Sequence, residues 1–320
     1  MHRRTIRWAA RAGALTMILA APAAASAATA PTVTTGGAAN VAQQTARLVG
    51  TVDPNGAQTT YQFQYGTTTA YGLATAENSV TGDGRRTVTM DIAGLAPATT
   101  YHYRLIARNV HGLVKGADRT FKTRVQPLGV SFAATPNPEP FGQTTTLSGQ
   151  LTGTGNGGRE VRLQSNPFPY TQGFKDVGNS LVTDPQGNFS FGLQQVPFNT
   201  QYRVTLPDKP SVVSPIVVVS VQALVGTRVG SYRVHKDHQL TFSGSIHPAV
   251  DGTPIAIQKK NSKGNWVTVA GTAARHGSDT SSIYSKKVTI RRGGTYRVYV
   301  GVANGSYVPN VGREITIHTV

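Results

Sequence analysis

Gly153, Gly155 and Gly158 form a G-x-G-x-x-G string, the spacing with which some loops hold backbone N–H groups against a phosphate. That chemistry needs a helix start directly after the glycines, so that free N–H groups and the helix dipole face the anion. Arg159-Glu160-Val161-Arg162-Leu163 reads instead as a strand, and the string reads as a hairpin loop. His235 and His238 form H-x-x-H. Zinc requires further ligands, and hydrolysis a carboxylate base beside them. Asp237, between the two, would point away from both on a strand, so no metal site is expected. His102, His111, His247, His276 and His318 are scattered, with no Ser or Asp tied to them by a local motif such as G-x-S-x-G. Paired carboxylates, as glycoside hydrolysis needs, are scarce. Asp83, Asp118, Asp184 and Asp279 stand in turn-like surroundings, where Asp caps its own backbone. The loop Asp184-Pro185-Gln186-Gly187-Asn188 offers one carboxylate to calcium, which takes about six to eight oxygens. These residues predict neither catalysis nor a cofactor.

What stands above this background is charge. The chain of 320 residues carries 31 Lys and Arg against 14 Asp and Glu, a net charge of +17. Residues 29–124 hold nine basic and five acidic side chains, residues 125–223 five of each, and residues 224–320 thirteen basic and four acidic. Lys259, Lys260, Lys263, Arg275, Lys286, Lys287, Arg291 and Arg292 cluster in that last stretch, several beside turns such as Asn261-Ser262-Lys263-Gly264-Asn265. A cationic surface attracts anionic wall polymers, acidic polysaccharide or lipid headgroups. The competing reading is edge protection, in which exposed lysines stop sheets from pairing with strangers. Lys259, Lys260, Lys263, Lys286, Lys287, Arg291 and Arg292 are the expected contacts for an anionic polymer. No nucleic acid is expected, since no recognition motif is visible.

The elements that must position these residues are strands. Tyr61, Phe63 and Tyr65 alternate with Gln62 and Gln64. Val88, Met90 and Ile92 alternate with Thr89 and Asp91, and Tyr101, Tyr103, Leu105 and Ala107 with His102, Arg104, Ile106 and Arg108. Such alternation puts one set on the core face of a strand. It also weakens the idea of a sugar-stacking platform, because Tyr61, Tyr65, Tyr101 and Tyr103 fall on the core side. Tyr71 alone remains a candidate surface aromatic. Asp53-Pro54-Asn55-Gly56 is a turn between two such runs. With no cysteine, each module must be held by its core alone, which a sandwich of about 100 residues achieves.

Leu95, Pro97, Thr99 and Tyr101 form L-x-P-x-T-x-Y, which resembles the tyrosine corner of fibronectin type III domains. The resemblance covers residues 31–124 and implies that the Tyr101 hydroxyl bonds back to backbone near the turn. The chain lacks the second-strand tryptophan of many family members and the Arg-Gly-Asp of integrin ligands, so it resembles a bacterial variant. Residues 128–222 and 223–320 look like one module written twice. Gly149 and Gly244 are 95 positions apart, Gln164 and Gln258 94, Phe174 and Trp266 92, and Tyr202 and Tyr296 94. A spacing held this steadily signals duplication. The pattern T-L-S-G … V-x-L-Q … Y-x-V resembles bacterial immunoglobulin-like repeats and the carboxypeptidase-regulatory-like sandwich, which implies a binding or spacer role.

Residues 1–28 read as a cleaved signal peptide. Arg3, Arg4, Arg7 and Arg11 precede an apolar stretch, and Ala25-Ser26-Ala27 supplies an A-x-A cleavage site. General secretion is the expected route, with Arg3-Arg4 a loose twin-arginine signal. No transmembrane segment is expected in the mature chain. The fold expected is all-β, three tandem β-sandwich modules joined by short linkers that favour a semi-rigid rod. The function expected is that of a bacterial extracellular or cell-surface protein, not an enzyme, which contacts an extracellular polymer or surface protein. The alternative is a carbohydrate-binding accessory module related to polysaccharide-degrading enzymes.

Overall fold

In the strand Ala46–Asp53, every second side chain from Ala46 to Val52 is buried and those between are half-buried, because successive side chains of a strand point to opposite faces. The computed structural model describes residues 27–302 and 304–320. The proposed leader, with Ala25 of its cleavage site, lies outside the described residues apart from Ala27 and Ala28 at its end. Every regular element among the described residues is a strand, and the chain divides into two compact units, residues 1–124 and 125–320.

The first unit is one sandwich. Thr32–Thr35, Ala46–Asp53 and Arg86–Ile92 form a three-stranded sheet. It faces a sheet built on Thr59–Gly66 and Thr100–Asn109, which pair antiparallel from Thr60↔Arg108 to Gly66↔His102. Leu48, Val52 and Val88 from one sheet meet Phe63, Tyr103 and Leu105 from the other.

The second unit contains two sandwiches. In one, the sheet of Gly129–Thr135, Thr144–Thr152 and Asn188–Gln194 covers a sheet centred on Glu160–Pro167 and Thr200–Thr205. In the other, a sheet centred on Gln239–His247 and Ser281–Thr289 covers a six-stranded sheet. Five strands of that sheet run in the order Arg233–Val234, Ile315–Thr319, Gly294–Val300, Pro254–Lys260, Trp266–Ala273. Their buried side chains make one continuous cluster, from Leu147 and Val204 through Val221 and Ala223 to Phe242 and Val298. The seam between them is specific. Glu139–Pro140 pairs in parallel with Val221–Gln222, and Val308 donates its N–H to the Val221 carbonyl at 2.9 Å. The Asn199 amide donates to the Gly305 carbonyl at 2.9 Å, and the Tyr307 ring sits 6.4 Å from Phe141 and 5.9 Å from Phe198.

Gly149 and Gly244 occupy equivalent places in the two copies. A Cβ on Gly149 would lie 2.2 Å from the Ser131 carbonyl oxygen and 2.5 Å from the Phe189 ring. On Gly244 it would lie 1.9 Å from the Gly226 oxygen and 2.8 Å from the Tyr284 hydroxyl. Only glycine fits so close an approach. Gly50 in the first sandwich meets the same constraint, with Leu105 Cδ2 at 2.6 Å.

Candidate ligand-binding surface

The glycine string runs into a strand, Glu160–Pro167, and its loop is closed by its own residues. Arg159 Nε donates to the Gly155 carbonyl at 2.7 Å, and its guanidinium also pairs with Asp208. His235 and His238 have ring centroids 5.5 Å apart, and among the described residues no three His, Asp or Glu side chains form a metal-holding group. Asp184 accepts from the Gln186 and Asn188 N–H groups and from the Asn188 amide, bonds that hold its carboxyl below the usual carboxylate range. One cluster escaped the sequence reading. Asp251 pairs with His276 at 3.2 Å and accepts the hydroxyl of Ser282. Here the carboxylate stands between serine and histidine, so the imidazole does not reach the hydroxyl, and the fully buried Ser282 is a structural partner to the Val250 N–H. Nucleophilic catalysis needs the base itself against the hydroxyl.

At the turn beside Leu95, the Tyr101 hydroxyl accepts the Ala96 N–H at 2.9 Å. Thr123 Oγ1 donates to the Ala96 carbonyl at 2.7 Å, and Thr99 Oγ1 to the Pro97 carbonyl at 2.9 Å. Leu95 is buried, and the Tyr101 ring stacks on Phe121 at 5.6 Å.

The basic residues lie about one end of the third sandwich. Lys259 and Lys260 end the strand Pro254–Lys260, Lys263 lies in the hairpin that follows, and Arg291 and Arg292 lie in the turn before Gly294–Val300. Lys286 and Lys287 lead into that turn from the opposite sheet. The group is not uniform. Lys259 donates to the Arg292 carbonyl at 2.6 Å and lies over the Tyr296 ring at 5.4 Å. Burial and Arg292 together hold its pKa below that of an ordinary lysine. It ties strand to turn, whereas Lys260, Lys263, Lys287, Arg291 and Arg292 are exposed.

A second constellation recurs in all three sandwiches. In the third, Arg297 Nε donates to Gln258 Oε1 at 2.8 Å while its guanidinium lies 4.2 Å over the Trp266 ring, and Lys260 Nζ stands 5.5 Å from the same ring. In the second, Arg203 donates to Gln164 at 2.8 Å and lies 4.2 Å over Phe174. In the first, Arg104 donates to Gln64 at 2.9 Å and lies 4.3 Å over Tyr71. In every case arginine and glutamine are directly opposed on neighbouring strands. This corrects the expectation for Tyr71, which is only 8% exposed. It also corrects that for Asp118, which accepts the Tyr71 hydroxyl at 3.0 Å and pairs with His102 at 2.8 Å instead of capping its own turn. The sequence signal was present, since the paired Gln, Tyr-Arg and aromatic positions were the ones that revealed the duplication.

Acid partners divide the sandwiches. Ion pairs in the first are Arg47–Asp91 and His102–Asp118, and in the second Arg159–Asp208, Arg162–Glu160 and Arg162–Asp176. In the third, the ion pair among the described residues is His276–Asp251. Among the described residues, none of its thirteen lysines and arginines has a carboxylate within pairing distance. The outer sheet faces carry open depressions, one over Ser243, Ser245 and Ile283 and one over Ser131, Ser148 and Ser190. Neither gathers an acid, a base and a nucleophile.

No family model and no curated protein matches the chain. Among solved structures, similar ones include a tetra-tandem repeat from the extending region of a large adhesion protein. It is 16% identical over 90% of this chain and 74% of that one, with a TM-score of 0.30. The chicken CNTN1 FN1–FN3 domains are 15% identical over 89% of this chain and 98% of that one, with a TM-score of 0.27. Titin domains A168–A170 are 14% identical over 91% of this chain and all (100%) of that one, TM-score 0.39. Overlaps of this size add no argument to the strand pairings described above.

Proposed function

We propose that this chain is an exported, non-catalytic interaction protein whose third sandwich holds an anionic extracellular or envelope polymer. One observation carries the reading. The third sandwich carries thirteen basic side chains against four acidic ones, and among the described residues none of the thirteen is in an ion pair, while Arg47 in the first sandwich and Arg159 and Arg162 in the second are paired. One sign of charge gathered in one module also serves solubility, but it attracts a polyanion to that module in particular. Among the described residues no helix is long and apolar enough to cross a membrane, and the proposed leader would deliver the chain outside the cell.

Retention on purified bacterial cell wall and on neutral glycan beads tests this. Wall retention that falls as salt rises is expected, since screening weakens contacts between exposed charges. Replacing Lys286, Lys287, Arg291 and Arg292 with Gln should weaken it while the module stays folded. Salt-insensitive retention on a neutral glycan would replace this reading with that of a carbohydrate-binding accessory module. Hydrolysis of an offered polymer would end the non-catalytic one.

A further inference from the structure

Resting on the reading just given, we propose that the ligand is a linear acidic polysaccharide, and that it lies across the outer face of the six-stranded sheet with Arg297, stacked on Trp266, as its central contact.

The first support is internal comparison. The Gln–Arg–aromatic stack is built three times, so its basic function is to brace the sheet. In two copies a carboxylate closes it. Asp118 accepts the Tyr71 hydroxyl, and Asp176 accepts the Gln164 amide at 2.8 Å. In the third copy the aromatic is Trp266, which has no hydroxyl to bind an acid, and the neighbour across the strand pair is Lys260. The carboxylate closest by register is Glu314, which precedes Ile315, itself opposite Tyr296. It is exposed and makes no ion pair, because the Arg297 guanidinium turns the other way, over Trp266. The third copy thus presents an arginine whose orientation is fixed by Gln258 and Trp266 but whose outer nitrogens have no partner among the described residues. A guanidinium held in one plane is suited to a carboxylate or sulfate approaching end-on, and part of its ordering cost is already met.

The second support is layout. Arg233 lies opposite His318 at the far edge of the sheet, and Lys260 and Trp266 lie at the other. Between these edges are Arg297 and Gln258. Five strands at about 4.8 Å spacing make this face roughly 20 Å wide, room for several sugar units of an extended chain. The face bears cations at both edges and the centre, and the exposed valines of this sheet, Val267 and Val269, lie on one edge strand and not across it. Those features favour a stiff, hydroxyl-rich polyanion over a lipid surface.

Trp266 gives the test a built-in reporter, because the chain has two tryptophans, Trp8 and Trp266. The mature chain, from which the proposed leader and Trp8 have been cleaved, is titrated with polygalacturonate while emission is followed, with phosphatidylglycerol vesicles and double-stranded DNA as parallel probes. A saturable change in Trp266 emission with polygalacturonate is expected. So is at least a tenfold loss of affinity in Lys260→Gln/Arg297→Gln, with none in Arg203→Gln. Should Arg297→Gln perturb the fold, Lys260→Gln alone, at an exposed position, is expected to weaken binding severalfold and lower its salt dependence. Polygalacturonate binding with silent Trp266 emission, lost only in Lys286→Gln/Lys287→Gln/Arg291→Gln, would overturn this site while leaving the polyanion reading intact. Stronger binding to vesicles or DNA than to polygalacturonate would overturn the ligand class. Absence of binding to every anionic probe at low salt would remove the underlying reading itself.

Discussion

Glu139 brings a carboxyl group into the interior of the second unit, where it is 1% exposed and its Oε2 has no hydrogen-bond partner. Burial raises its pKa, opposed in part by backbone bonding from Val196, and its presence helps push the nearby Tyr202 hydroxyl up to about 12. A carboxyl whose folded pKa is raised binds its proton more tightly folded than unfolded. Stability is therefore greatest at acid pH and is lost as the pH rises from the ordinary carboxylate value through the raised one. Glu139→Gln keeps an acceptor oxygen and removes the charge. It is expected to raise the melting temperature at pH 7, with the gain shrinking toward zero near pH 4. A variant that melts lower than the parent at pH 7 would mean that the carboxylate is stabilising where it sits. None of this could be read from the sequence, in which Glu139 lies between prolines in an unremarkable loop. Its backbone is held by pairing with Val221, some eighty residues on, and Val196 and Tyr202 stand beside its carboxyl.

At the scale of strands, much was legible and the reason is periodicity. The alternation at Tyr101, Tyr103 and Leu105 put the right side chains inside, and the spacing of Gly149 and Gly244 marked equivalent strands of two copies. What those glycines do was not legible, because the oxygen each one faces belongs to a strand placed by tertiary structure. Gly244→Ala would drive a Cβ against the Gly226 carbonyl and is expected to cost about 1–3 kcal/mol, the usual penalty for overpacking. Gly271→Ala is the control, since its nearest neighbour would be the Ile255 oxygen at 3.8 Å. Equal melting temperatures for the two variants would show that the sheet yields easily. The basic cluster was similarly half-legible. Adjacent pairs such as Lys286-Lys287 announce themselves, while Arg297, Gln258 and Trp266 come together only because three separate strands fall into one register. Tyr71, whose backbone is left-handed at φ +63°, is likewise buried beneath Arg104, although it belongs to no alternating run.

At the scale of the whole molecule, three sandwiches occur in two units, and the second unit is held by a seam no local pattern announces. Residues near 139, 199, 221 and 305–308 build it, and each segment by itself reads as an ordinary turn. Since the core runs through the seam, the second and third sandwiches should unfold as one cooperative step. Tyr307→Ala removes the ring that packs against both Phe141 and Phe198 and is expected to destabilise by about 3–5 kcal/mol, the range for deleting a buried aromatic. In hydrogen exchange, protection at Leu163 and at Ile257 should fall together. Loss at Ile257 alone would show two independent modules.

That seam also makes the second and third sandwiches depend on one another. Sandwiches joined only by a linker can each be altered or removed without affecting the other's packing. Here Phe141, Phe198 and Tyr307 share one contact across copies, and Glu139–Pro140 pairs with the segment that joins them. A substitution at any of these residues is therefore felt in both sandwiches, and removing one sandwich would strip a packed face from the other.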